Sequence, residues 1–480
     1  MKKRLLALLL LTLMLANTIL LTACGKDNGP APEVNAGDIA YNGEEVTIKF
    51  VHTMGANLQE ILDEYIIEFN KIYPNIHVEH ENGGGYDDVR NTIKTQINVG
   101  AQPNIAFCYP DHVAVYNMAG AVQPLNEYIN SSTTITRADG TTEIVGLTQE
   151  QIDAFIDGFY NEGFAFGDGT QMYTLPFSKS TELLYYNVEF FEEHELKVPT
   201  TWAEMEEVCA KIKEIDPTSI PLGYDSGANL FITMCEQLGS PYTSASGDHY
   251  LFNNQTNKDF VKMFREWYQK GYMTTKALNG DTYTSNLFIT TDKDSIKSYM
   301  SIGSSGGAQH QRPAVDTNGE YPFTVGIAPI PQANPDAPKA ISQGPSVTIF
   351  KKSNPIEVVA SWLFVKFLVT NVDFQAKFST TSGYMPVLES EVMNTNQNFA
   401  NYLAKAGEGN DYITALGMQV AMEARGHCFV SPAFNGSSTA RDQAEAIISA
   451  CLPFQGTDAQ VNSKVDQVFQ DAIDECEYQE

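Results

Sequence analysis

Residues 46–80 read VTIKFVHTMGANLQEILDEYIIEFNKIYPNIHVEH, and the order of periods within them decides the fold. Val46, Ile48 and Phe50 alternate with polar neighbours, the period of a strand. Leu58, Ile61, Leu62, Tyr65, Ile66 and Phe69 then recur at helical spacing, and Pro74 follows the end of that helix. Ile76 and Val78 begin a second strand.

Working outward, Gly83 to Gly85 turn the chain, Val89, Ile93 and Ile97 mark another helix, and Ile105 to Tyr109 a third strand. Strand, helix, strand, helix, strand is the rhythm of a parallel α/β sheet with right-handed crossovers. Ligands of such sheets sit beyond the carboxyl ends of the strands. His52, Tyr86 and Asp111, each just after a strand, are therefore candidates.

Further on, residues 130–150 are rich in Ser and Thr and read as a surface loop. From Met172 two extended segments precede a helix with a capping box, Thr201 with Glu204. Trp202, Trp267 and Trp362 lie in helix-like stretches beside apolar neighbours and read as core residues rather than sugar-stacking platforms. Residues 298–331 turn Gly-, Ser- and Pro-rich, and two helices follow near 356–370 and 372–379. No internal repeat is visible.

Upstream, Lys2, Lys3 and Arg4 precede an apolar run from Leu5 to Ala23, the order of an export signal. Leu21-Thr22-Ala23-Cys24 resembles the bacterial lipoprotein box, which implies cleavage after residue 23 and acylation of Cys24. Residues 24–44 read as a flexible tether. Removing the leader leaves 27 of the 30 basic side chains against 59 acids, a net charge of −32. Such a chain repels nucleic acid and anionic headgroups. The mature length of about 457 residues exceeds what one core serves and implies two lobes.

Cys108, Cys209, Cys235, Cys428, Cys451 and Cys476 are scattered without a CxxC pair, which argues against structural zinc. Pairing and buried free thiols both fit that spread.

Leu175-Pro176-Phe177-Ser178-Lys179-Ser180-Thr181, continuing into Leu184-Tyr185-Tyr186-Asn187, resembles the extracellular solute-binding proteins of bacterial ABC importers. So do Pro199-Thr200-Thr201-Trp202 and Thr381-Ser382-Gly383-Tyr384-Met385-Pro386-Val387. The succession is most similar to the glycerol-3-phosphate-binding branch, with His52-Thr53-Met54-Gly55 after the first strand as its opening.

The resemblance implies an α/β, two-lobed periplasmic-binding-protein-like fold with three crossover segments, near 176–183, 298–304 and 346–356. Lobe one is expected to hold 45–175 plus 298–350, and lobe two 176–297 plus 351–480. It implies a carbohydrate or polyol-phosphate solute bound between the lobes by Tyr86, Asp111, Ser180, Ser304, Gly344, Tyr384 and Arg441. The branch's acidic contact falls on Pro110, so Asp111 stands in from next door. It further implies a monomer, delivery to an ABC permease at the membrane, and neither cofactor, metal nor nucleic acid. A neutral oligosaccharide receptor is the alternative within binding.

The residue chemistry suits a phosphomonoester. Arginine offers a planar fork for phosphate oxygens, and serine hydroxyls and a glycine backbone supply neutral bonds. An exported hydrolase is the alternative of another class, since Gly303-Ser304-Ser305-Gly306-Gly307 matches Gly-x-Ser-x-Gly. That motif needs a following helix, and 308–322 lacks an amphipathic pattern, so a flexible crossover loop is the expectation.

Overall fold

The computed structural model describes residues 39–479. Two five-stranded sheets organise it. In the first, the strands run Ile76–Asn82, Val46–His52, Ile105–Cys108, Ser346–Ile349 and Thr174–Pro176 across the sheet. Val46–His52 pairs in parallel with Ile76–Asn82 and with Ile105–Cys108, as the strand–helix rhythm predicts. Ser346–Ile349 returns antiparallel between Ile105–Cys108 and Thr174–Pro176.

Both faces of this sheet are covered, which suits a mainly parallel sheet. Phe50 points to one side and meets Phe107 and Phe364 edge-on at 5.3 and 6.5 Å. Val51, its neighbour, faces the other side with Val89, Ile93 and Tyr116. The Ala56–Ile72 helix buries Ile61, Leu62, Tyr65 and Phe69 along one stripe, and Phe69 meets Phe364 at 5.1 Å. Truncating Phe69 to Ala costs about 3–5 kcal/mol at such a packed site.

The second sheet orders Val325–Pro329, Glu182–Asn187, Met300–Ser304, Leu222–Tyr224 and Met273–Thr275. Its core gathers Phe264, Trp267, Ile447 and Phe469 from surrounding helices. All three tryptophans are buried, and Trp202 and Trp362 donate to Gln237 Oε1 and the Val145 carbonyl, both at 2.8 Å.

Several expectations need correction. Strands Met300–Ser304 and Val325–Pro329 hydrogen-bond to Glu182–Asn187, so they belong to the second sheet, not to lobe one. Conversely, the Pro355–Thr370 and Val372–Ser382 helices pack on the first sheet and its Ala56–Ile72 helix, through Phe364 against Phe50 and Phe374 against Tyr65. The chain passes from the first sheet to the second between Pro176 and Glu182, and returns between Pro329 and Ser346. It has left again by Ile413–Ala424, where Gly417 packs against Ala308 and Ile327. Only the first crossover lies where expected.

Residues 134–144 form a hairpin rather than a plain loop, with Ile135 buried, since Thr is as favourable in strands as on surfaces. Ile39 and Tyr41 are buried, so the expected tether does not extend to residue 44. The leader and Cys24 lie outside the described residues. The six described cysteines are all free thiols, five of them buried.

Candidate ligand-binding cleft

Beyond the carboxyl end of the Ile105–Cys108 strand lies a cavity of about 50 Å³, walled also by the return crossover at Ile341–Gln343 and by helices packed on the second sheet. Asp111 reaches it from the first turn of the Pro110–Asn117 helix, which follows the Ile105–Cys108 strand. Pro110 suits that helix start because its fixed φ matches the first turn, and an acid there faces the positive end of the helix. Arg441 enters from the opposite side on the Ser437–Cys451 helix, and it is the sole cation lining the cavity among the described residues.

Four buried polar atoms of the cavity wall have no hydrogen-bond partner: Asp111 Oδ2, Tyr242 Oη, Thr243 Oγ1 and Ser431 Oγ. Buried polar groups are nearly always paired, and each orphan costs about 1–3 kcal/mol. One acceptor-only carboxylate, three hydroxyls and a guanidinium complement a ligand carrying anionic oxygens and at least one donor.

The Arg441 guanidinium is aimed by a buried relay. Its Nη2 donates to Asn229 Oδ1, Asn229 Nδ2 donates to Glu182 Oε1 at 2.9 Å, and the Tyr224 hydroxyl donates to Glu182 Oε2 at 2.5 Å. Burial pushes the Glu182 carboxyl up to about 7, against the opposing pull of these hydrogen bonds and of Arg441. Beneath the cavity, Lys179 is fully buried and donates to Glu162 Oε1 at 2.6 Å and to Ser346 Oγ at 2.9 Å.

The remaining expected residues are distributed around this centre. Tyr86 opens the Tyr86–Ile97 helix and stacks on Tyr109, a cavity residue, at 4.5 Å. Its hydroxyl is held far above its usual range, first by burial and then by Tyr384 and Tyr109. Tyr384 lies across Gly306, where a Cβ would stand 2.7 Å from the ring.

Ser180 and Gly344 form the floor rather than the wall. The Ser180 backbone exchanges two 2.8 Å bonds with Gln343, which does line the cavity. Gly344 has φ +89°, and a Cβ there would come within 2.6 Å of the Ser178 carbonyl, so only glycine fits. Ser304 Oγ is committed to capping, accepting from the Gly306 N–H at 3.2 Å.

His52 stands apart. Its Nδ1 accepts from the Met54 N–H at 3.2 Å and its Nε2 meets His80 Nδ1 at 2.9 Å. Burial, reinforced by His80, pushes its pKa down to about 4. The supposed nucleophile elbow is an ordered strand and 3₁₀ turn, in which Ser305 Oγ is buried and accepts from the Thr181 N–H at 3.2 Å.

Tyr109, Glu162, Tyr242, Thr243, Ser431, Asn229 and Glu182 were not foreseen. Only Glu182 left a signal, an acid directly before the apolar Leu183-Leu184-Tyr185.

The lobes touch at a second charged contact. Arg90, on the Tyr86–Ile97 helix, donates to Ser438 Oγ at 2.7 Å and stands 3.7 Å from Asp442 Oδ2, both on the helix that carries Arg441.

Two sheets joined by three crossings, with a polar cavity beside the return crossover, define a two-lobed α/β fold. Residues 64–405 match the family model described as bacterial extracellular solute-binding protein, and the chain belongs to that family. It is 23% identical over 366 residues to the sn-glycerol-3-phosphate-binding periplasmic protein UgpB of Escherichia coli (strain K12), spanning 72% of this chain and 75% of that one. It is equally, 23%, identical over 347 residues to a maltotriose-binding protein of Pyrococcus abyssi, spanning 72% and 66%.

Among solved structures, UgpB from Mycobacterium tuberculosis in complex with glycerophosphocholine superposes with a TM-score of 0.69 at 17% identity, covering 89% of this chain and 98% of that one. Lmo0181 from Listeria monocytogenes, an ABC substrate-binding protein in complex with cycloalternan, gives 0.67 at 15%, covering 90% and 98%. The chain is thus an extracellular solute-binding transport protein and not an enzyme.

Proposed function

We propose that this chain is the lipid-anchored, monomeric substrate-binding component of an ABC importer, and that its solute is a polyol phosphate of the glycerol-3-phosphate kind. The observation that carries the solute class is Arg441, the sole cation of the cavity wall among the described residues, sharing that wall with the unpartnered carboxylate oxygen of Asp111. A phosphate takes the guanidinium in bidentate fashion, and the three unpartnered hydroxyls donate to its remaining oxygens. Asp111 accepts from a polyol hydroxyl, and Tyr86, Tyr109 and Tyr384 wall the apolar side. Ser180, Ser304 and Gly344 shape the crossover floor on which this rests.

The anchor reading rests on the Leu21–Cys24 box and the leader before it. Cys24→Ser is expected to release the protein from membranes on cell fractionation. The solute reading is tested by calorimetry with sn-glycerol-3-phosphate, inorganic phosphate and maltotriose. Binding of maltotriose alone replaces it with the neutral-oligosaccharide reading, which the relative from Pyrococcus abyssi makes the alternative to beat.

A further inference from the structure

Behind Arg441 the relay ends at a carboxyl group with no cation of its own. Glu182 is the first residue of the Glu182–Asn187 strand, next to the first crossover, and is buried. Asn229 sits in the first turn of the Gly227–Gln237 helix, also buried. Because Asn229 Oδ1 accepts from Arg441, its amide nitrogen is forced toward Glu182, so the orientation of one group dictates the other.

The charged and titratable groups around Glu182 are Tyr224 and Asp225, at the end of the strand two places across the sheet, and Arg441 from the Ser437–Cys451 helix. Glu445, one turn beyond Arg441, is occupied with the Ala228 N–H at 2.8 Å. Arg441 is thus the cation that acts most on Glu182.

We propose that Glu182 is the positioning residue for Arg441, acting through Asn229, and that it takes up a proton from solvent when an anionic ligand engages the guanidinium. The proposal rests on the reading of Arg441 as the anion contact. A carboxylate behind one guanidinium and a phosphate in front of it compete for the same charge, so the second anion raises the proton affinity of the first. The fold has room for the rearrangement. A protonated Glu182 donates to the Tyr224 oxygen, and the Tyr224 hydroxyl turns to the buried Thr233 hydroxyl, which already stands within its reach. Its position near neutral titration makes the exchange accessible in ordinary buffers. Reciprocity then requires protonation of Glu182 to strengthen anion binding by the same factor, about tenfold for coupled sites of this kind.

The test is calorimetry with sn-glycerol-3-phosphate in buffers of different ionisation enthalpy, from about pH 6 to about pH 8, on wild type and Glu182→Gln. The ligand's own second ionisation, near pH 6, cancels in the comparison of the two proteins. Wild type is expected to take up more protons than Glu182→Gln, and to lose about tenfold more affinity across the range. Tyr224→Phe, which removes a donor to the carboxylate and leaves the backbone alone, is expected to move the uptake maximum to higher pH. It serves as well should Glu182→Gln fail to fold.

Equal proton uptake in wild type and Glu182→Gln, or an unmoved maximum in Tyr224→Phe, overturns the proposal while leaving the anion site intact. If wild type ignores the ligand, or Arg441→Ala binds it as wild type does, the anion reading falls and this proposal falls with it.

Discussion

Two polar clusters meet at the cavity, and they are finished differently. In one, Lys179 Nζ has Glu162 Oε1, Ser346 Oγ and, at 3.4 Å, the Gly344 carbonyl, while Glu162 Oε2 accepts from Ser342 Oγ at 3.3 Å. In the other, Asp111, Tyr242, Thr243 and Ser431 present buried atoms without a hydrogen-bond partner. The first cluster is complete in itself and acts as a strut where the chain changes lobes. The second is complete only with a molecule from outside. Burial alone does not separate a structural polar group from a binding one; the state of its hydrogen-bond account does.

The largest effect that would sharpen this contrast is Lys179→Met. It leaves Glu162 buried without its cation, at a cost of about 3–5 kcal/mol read from urea denaturation. Adding Glu162→Leu is expected to restore most of that loss, because replacing both partners removes the uncompensated charge. If the single variant is as stable as wild type, the strut reading is wrong.

On the other side of the contrast, Arg441→Ala is expected to weaken sn-glycerol-3-phosphate about a hundredfold in calorimetry, the loss of a charged hydrogen bond in a desolvated site. Its ligand-free melting temperature is expected to fall modestly, by the one hydrogen bond that Asn229 loses. A large drop in melting temperature with affinity unchanged would move Arg441 into the structural class.

Arg90→Ala tests whether the contact to Ser438 and Asp442 belongs to closure rather than to the ligand. Losing one hydrogen bond to a charged group between the lobes is expected to speed ligand release about tenfold in stopped flow, with little change in the association rate. Salt should narrow the gap between the two proteins, since Asp442 is half exposed. Equal release rates would remove Arg90 from the closing contact.

The smallest and most diagnostic effect is on Asp111. An unpartnered carboxylate in a cavity wall destabilises the free protein, so Asp111→Asn is expected to stabilise it by about 1 kcal/mol while lowering affinity. A destabilised Asn variant would show that Asp111 has a structural partner after all.

Much of the first sheet was legible because its signals are local. The alternation around Ile48 and Phe50 and the stripe from Ile61 to Phe69 are set by the periods of strand and helix, which need no tertiary partner to be read. Thr201 with Glu204 is a cap in the structure as in the sequence for the same reason. The lobe assignment of 298–350 and 351–424 was not legible. Whether Met300–Ser304 pairs with Glu182–Asn187 or with Ser346–Ile349 is a matter of hydrogen bonds between segments far apart in the chain. Nor does Gly-, Ser- and Pro-rich composition distinguish a hinge loop from a strand followed by a 3₁₀ turn.

The site divides along the same line. Sequence by itself determined that Asp111 and Tyr86 follow parallel strands, and that a glycine at 344 and an arginine late in the chain stand where the resembling branch has them. It determined these because residue type and short-range order carry them. Tertiary structure alone decided that Asp111 and Arg441, 330 positions apart, line one cavity, that Lys179 is satisfied and Asp111 is not, and that Glu182 stands behind Arg441. Those facts depend on which polar atoms lose water together when two lobes meet. No local pattern encodes that, because desolvation and partnership are properties of the packed chain.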